Sequence, residues 1–251
     1  MNIDVSLLPS GGIGYNFPSV VIKPLNFLEI TQYLSNLPGE DDPLGRYLFD
    51  MNMLRDDDPN IENCYIMDID FLIFYKKLCT VSEDLSYQIE VNCPHCGATI
   101  KKTISFDKDV HFKQIDPNIM NGAKIELNGH HYDTIVPTYK DFMKVFSLYL
   151  RYRKIQDLKM IKTIALIKDF DVQGNQIEDD VLHAKHNDIT LLMALRDLYY
   201  DRVEPVELFC PKCDKPEERR SVTVSLEGLI VDFFRELYVN SPIDGTKILF
   251  K

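Results

Sequence analysis

The chain has 251 residues, 45% hydrophobic and 27% charged, with thirteen Tyr and fourteen Phe. That length can bury a real core, and that aromatic content argues against extensive disorder. The formal charge of −11 opposes non-specific attraction to nucleic-acid phosphates, and no apolar run reaches the roughly 18 residues a membrane-crossing helix needs.

Met1-Asn2-Ile3-Asp4 lacks the basic-then-apolar order of a secretory leader, so the chain is expected to fold in a reducing cytosol. There its six cysteines read as two metal-binding pairs and two buried thiols rather than as three disulfides. Ser10-Gly11-Gly12-Ile13-Gly14 reads as a flexible arm. A phosphate-loop reading of these glycines fails, because no Lys-Ser or Lys-Thr pair follows. Ser19 to Ile22 reads as a short strand closed by Pro24.

Three helices are predicted at Leu25 to Leu37, Pro43 to Leu54 and Asp68 to Cys79, with Asp68 capping the third and Asp56-Asp57-Asp58-Pro59 breaking the chain before it. Cys64 and Cys79 read as small buried hydrophobes. The pattern changes to period two at Tyr87 to Val91, enters Cys93-Pro94-His95-Cys96-Gly97, and returns from Thr99 to Phe106. That order predicts a hairpin with a metal knuckle at its tip. A second hairpin is predicted from Lys124 to Tyr132, turning on Asn128-Gly129, with His130 and His131 as exposed hairpin residues.

Thr138 and Asp141 form a capping pair for a helix with Phe142, Val145, Phe146, Tyr149 and Tyr152 on one face. From Tyr139 to Lys168 there are eight Lys or Arg against two Asp. This basic helix reads as a solvated face or as a dock for an acidic partner. Asp169-Phe170-Asp171-Val172-Gln173-Gly174 onward to Asp180 approximates a calcium loop, with Ile177 one place late and Asp180 where Glu is wanted. A plain Gly turn is the better reading. Asn187 or Asp188 should cap a helix whose Leu191, Leu192, Leu195 and Leu198 share a face. Val206 to Phe209 then runs into Cys210-Pro211-Lys212-Cys213, with Ser221 to Leu226 as the return strand and a last helix from Leu229 to Tyr238.

Two Cys-Pro-x-Cys knuckles between β-type segments supply four soft ligands, the number a tetrahedral zinc ion takes. Cys93, Cys96, Cys210 and Cys213 are therefore the predicted metal ligands, although the pairs lie far apart in sequence. If the pairs did not meet, His95 or the His183/His186 pair would have to complete each site. An iron–sulfur cluster is the less favoured occupant. A redox Cys-x-x-Cys normally opens a helix, and four thiolates deny a catalytic zinc its open position. No nucleophile elbow, kinase signature or dinucleotide fingerprint is present. No catalytic or small-molecule cofactor residues are assigned, and no enzyme is expected.

The stretch from Asp68-Ile69-Asp70-Phe71-Leu72 to Cys93-Pro94-His95-Cys96-Gly97 resembles the baseplate hub assembly proteins of T4-like contractile-tailed bacteriophages. The Phe17-Pro18 strand with its following helix, and Lys124 through Pro137-Thr138, are similar to that family too. The resemblance implies a non-enzymatic, zinc-binding role in tail assembly through contacts with other phage tail baseplate hub proteins. The implied location is the host cell cytoplasm, or the virion tail baseplate if the protein stays in the particle. The alternative is a zinc-ribbon nucleic-acid-binding protein using Lys140 to Lys168, Lys212, Lys215, Arg219 and Arg220. The expected fold class is α+β, a helical domain combined with β-hairpins carrying a two-knuckle, zinc-ribbon-like site. Its segments are 1–86 (arm, strand and helices), 87–137 (first knuckle hairpin and second hairpin), 138–205 (helical insertion) and 206–251 (second knuckle hairpin and last helix).

Overall fold

The computed structural model describes residues 1–39, 42–82, 84–93, 95–113, 115–152, 158–168, 170–200, 204, 206–213 and 221–224. The fold is α+β: helices combined with two-stranded antiparallel hairpins. Two compact units share the chain. One draws on Met1–Ile22, Pro38–Leu72 and Gln114–Arg202, the other on Lys23–Leu37, Ile73–Lys113 and the described part of Val203–Lys251.

In the first unit, β1 (Asn2–Asp4) pairs with β2 (Ser19–Val21), Ile3 opposite Val20. The intervening glycine segment is not the flexible arm its composition suggests. Ser10 is buried and its N–H donates to the Asp68 carboxylate at 2.8 Å, while the Tyr15 hydroxyl donates to the other carboxylate oxygen. Tyr15 also stacks between Phe17 and Tyr65, with ring centroids 4.6 and 5.0 Å away. Asp68 is therefore not a helix cap. The helix α3 (Ile66–Val81) begins two residues before it. Composition signals turn formation by glycine but carries no record of a partner 58 residues away.

Helix α2 (Pro43–Arg55) opens where predicted, with Asp42 accepting from the Gly45 N–H and Pro43 in the first turn, where its missing donor costs nothing. The acidic breaker that follows is also pinned, because Asp58 accepts from the Asn60 and Val21 N–H groups. Hairpin β5 (Lys124–Leu127) and β6 (His130–Asp133) turns on Asn128 and Gly129, both with positive φ, as the Asn-Gly dipeptide predicts. Thr138 and Asp141 exchange cap hydrogen bonds at the start of α5 (Tyr139–Tyr152), which buries Phe142 and Val145. Of the predicted face, the Tyr149 and Tyr152 side chains lie outside the described residues.

The described residues of the basic stretch include α5 and α6 (Leu158–Ile164). They are not wholly a solvated face, because Lys162 of α6 is buried. Its ammonium donates to Asp70 at 3.0 Å and sits over the Tyr47 and Tyr200 rings, 4.4 and 4.8 Å from their centroids. A buried cation needs such a partner, and the aromatic faces add to it.

Residues 170–182 form α7 (Phe170–Leu182), so this stretch is neither a calcium loop nor a Gly turn. Ile177 and Val181, four apart, are buried, and their burial outweighs the roughly 1 kcal/mol penalty of Gly174 inside a helix. Asp180 accepts from Gln176, from the His130 ring at 2.8 Å and from the Tyr132 hydroxyl, tying the β5–β6 hairpin to α7. His131 is exposed as expected, and His130 is exposed but anchored.

Helix α8 (His186–Tyr200) starts one residue before its expected cap and turns Leu192, Arg196 and Tyr199 inward. Leu191 and Leu198 face outward, against the predicted four-leucine face. Leucines on both sides left the rotation of this helix ambiguous in the sequence.

In the second unit, Asn26 and Glu29 form a reciprocal capping box at the start of α1 (Phe27–Asn36). The C-terminal half of α3 supplies Phe74, Leu78 and Cys79 to the core, and Lys77 lies over the Tyr33 ring. Cys64, in the first unit, and Cys79 are both buried, as expected of small hydrophobes. Phe106 packs on Phe74 and edge-on to Tyr75. The predicted strand through Phe106 stops one residue short, and Phe106–Asp109 form the single-turn helix α4. The predicted last helix, Leu229 to Tyr238, and residues 225–226 of the last strand lie outside the described residues.

Candidate metal centre

Strands β3 (Ser86–Asn92) and β4 (Thr99–Ser105) pair over seven residues, from Ser86 opposite Ser105 to Asn92 opposite Thr99. Alternation turns Ile100 and Ile104 into the core, which fixes the register and therefore where the hairpin tip projects. Exposed Glu90 and Lys101 face each other across the strands at 2.6 Å, a contact of at most about 1 kcal/mol.

At the tip the chain doubles back on itself. The Cys93 N–H donates to the Ala98 carbonyl at 2.8 Å, and the Gly97 N–H donates to the Cys93 carbonyl at 3.0 Å. The reversal places Gly97 at φ +66°, in the left-handed region that favours glycine. The same turn aims the backbone N–H groups of Cys96 and His95 at the Cys93 sulfur, and these two donors hold its pKa down to about 6.

The second knuckle is delivered by β7 (Val206–Phe209) and β8 (Ser221–Val224), with Phe209 opposite Ser221. β7 runs beside β4, and the Glu204 N–H donates to the His111 carbonyl at 2.8 Å just before β7 begins. Leu208 is buried and Phe209 exposed, so one face of β7 joins the core and Cys210 continues from its end.

The two tips converge. Cys93 and Cys213 sulfurs are 3.8 Å apart, Cys96 and Cys210 3.5 Å, and Cys96 and Cys213 3.9 Å. All four sulfurs lie within 4.8 Å of one another. Metal–sulfur bonds of about 2.3 Å at tetrahedral corners give sulfur–sulfur edges of about 3.8 Å. The cluster therefore has the dimensions of a single four-coordinate ion, and it can hold a metal. The distances are far above the roughly 2.05 Å of a disulfide.

Electrostatics point the same way. Against a lowering hydrogen bond from the Ala98 backbone, the Cys96 thiol is held up by Cys210, burial and Cys93. Cys213 is pushed up to about 12, chiefly by its hydrogen bond with Cys210. Four thiolates this close repel one another unless a cation sits between them.

All four predicted ligands are brought together, and the two pairs complete each other without a histidine. His95 is exposed on the first knuckle. His183 follows the end of α7 and His186 opens α8, so they do not share a helix. The supporting backbone groups of Ala98 and His111 carry no side-chain signal in the sequence. Gly97 does, since glycine directly after Cys-Pro-x-Cys marks the left-handed turn. Lys215, Arg219 and Arg220 lie outside the described residues.

No protein-family profile matches the chain, and neither a curated protein nor a solved structure is significantly similar to it.

Proposed function

We propose that Cys93, Cys96, Cys210 and Cys213 hold one structural Zn2+. We further propose that the chain is a non-enzymatic assembly or structural protein of a T4-like phage tail baseplate hub, working by protein–protein contact in the host cytoplasm or in the virion tail. The observation that carries the metal reading is the clustering of all four sulfurs within 4.8 Å of one another, with three of the pairs at 3.5 to 3.9 Å. It fits one ion rather than a cage of several irons and bridging sulfides. A tetrahedral set of four thiolates has no position left for a substrate or an activated water, which supports a structural role over a catalytic one.

The hub reading is supported by the likeness of the Asp68 to Gly97 stretch to that family, and the formal net charge of −11 disfavours the nucleic-acid alternative. A nucleic-acid role has less behind it, because Lys162 of the basic stretch is used up inside the first unit on Asp70, Tyr47 and Tyr200.

Elemental analysis of the purified chain should find one zinc per molecule and no iron or acid-labile sulfide. Tagged protein recovered from infected cells should bring other tail proteins with it. Tight, salt-dependent binding to generic DNA with no tail protein recovered would instead assign the chain to the nucleic-acid class.

A further inference from the structure

The four cysteines are not equivalent toward solvent. Cys93 and Cys210, the first cysteine of each knuckle, are each 2% exposed. Cys96 is exposed and Cys213 half-buried. The solvent-facing pair belongs to different knuckles, and its sulfurs are 3.9 Å apart. A metal-bound cysteine is a thiolate, the nucleophilic form of sulfur, and its reaction with a soluble oxidant is then limited by access.

We propose that Cys96 and Cys213 form a peroxide-sensitive edge of the metal centre, at which oxidation exchanges the metal clasp for a covalent one between the two knuckles. This rests on the zinc reading above. The exposed Cys96 thiolate attacks one oxygen of hydrogen peroxide, the O–O bond breaks, and hydroxide leaves with the bonding pair, giving a sulfenic acid at Cys96. The Cys213 thiolate then attacks that sulfur, the S–O bond breaks, and a second hydroxide leaves. The sulfurs lose two electrons, one peroxide gains two, and a Cys96–Cys213 disulfide results. Zn2+ keeps only Cys93 and Cys210 and is released.

The second step needs the sulfurs to close from 3.9 Å to about 2.05 Å. The two belong to separate hairpin tips, so closure is a small approach of one tip to the other rather than a rebuilding of either strand pair. The hairpins stay joined after the metal has gone, and a reductant with added zinc restores the original centre.

The test uses the full-length chain with its zinc content first measured. Hydrogen peroxide is added in steps, released zinc is followed with a metallochromic dye, and free thiols are blocked before tryptic peptide mapping. Lys212 separates Cys210 from Cys213, so trypsin distinguishes their bridges. Fragmentation distinguishes Cys93 from Cys96. The expected result is one zinc released per chain, a dominant Cys96–Cys213 bridge, and recovery of zinc binding after dithiothreitol and zinc. Zinc retained under excess peroxide, or a dominant bridge through Cys93 or Cys210, overturns the proposal while leaving the structural-zinc reading intact. A chain that carries no zinc before peroxide is added overturns both.

Discussion

Asp68 sits in the core of the first unit, and burial pushes its carboxyl up to about 6 from an ordinary 3.8, in spite of hydrogen bonds from Ser10 and Tyr15. Because the folded value is the higher one, the native state binds a proton more tightly than the unfolded chain does. The stability gained this way is full below about 3.8 and is lost as pH rises through about 6, a total of about 3 kcal/mol. In Asp68→Asn that slope should vanish, and chemical denaturation at a series of pH values between 4 and 7 checks it. Parallel wild-type and variant profiles would show that another group titrates. Asp68→Ala leaves the buried Ser10 N–H without its acceptor and should cost about 1–3 kcal/mol at low pH, where the wild-type carboxyl is protonated, with the cost shrinking as pH rises because the variant has no carboxyl to ionise. The neighbouring Cys64 thiol is pushed up to about 12 by burial and by Asp68, which keeps it an inert core thiol. At the metal centre, Gly97→Ala meets no atom within 4 Å yet must hold φ +66°. It should lose about 1 kcal/mol of thermal stability with the sulfur ligands intact.

Elements were legible where their signals are local. Asn128-Gly129, the Thr138/Asp141 cap and the two Cys-Pro-x-Cys turns each act within a few residues, and each forms as read. The readings that failed depended on distant partners. Asp68 looked like a cap because its acceptors' donors, Ser10 and Tyr15, lie 58 and 53 positions away. The stretch from 170 to 182 looked like a loop because glycine and acidic residues outweighed the helical spacing of Ile177 and Val181. Asp180 there is only 7% exposed in its side chain and accepts from three side chains. Asp180→Ala should therefore cost about 2–3 kcal/mol and release the β5–β6 hairpin. Faster amide exchange at Ile125 and Leu127 would report that release, and unchanged exchange there would show that the hairpin holds without this anchor. Calcium should leave exchange across α7 unaltered.

At the scale of the whole chain, the ligand pairs lie 114 positions apart, counted from Cys96 to Cys210. The stretch between Lys113 and Val203 belongs largely to the first unit, while both knuckles belong to the second. Cross-linking a loop of this length removes unfolded-state entropy worth about 4–5 kcal/mol in the chain-entropy account. Stripping the metal with a chelator should lower unfolding stability by several kcal/mol. Cys93→Ser and Cys210→Ser should each reproduce that loss, and the double variant should add little to either, because both remove the same clasp. Additive losses would mean that the two pairs act separately. The convergence was foreseeable from ligand count alone, since two pairs make one complete set. The route was not, because the Glu204 to His111 hydrogen bond that brings β7 beside β4 joins backbone groups and leaves no trace in residue type.

The same separation sets an order of events on the ribosome. At about 5–20 residues per second, Cys210 is made roughly 6–23 s after Cys96. Throughout that interval the nascent first knuckle has two ligands to offer, a grip from which ions exchange freely with the cell's pool. Commitment of the site to a particular ion therefore waits until Cys210 and Cys213 have emerged and folded back onto the first knuckle.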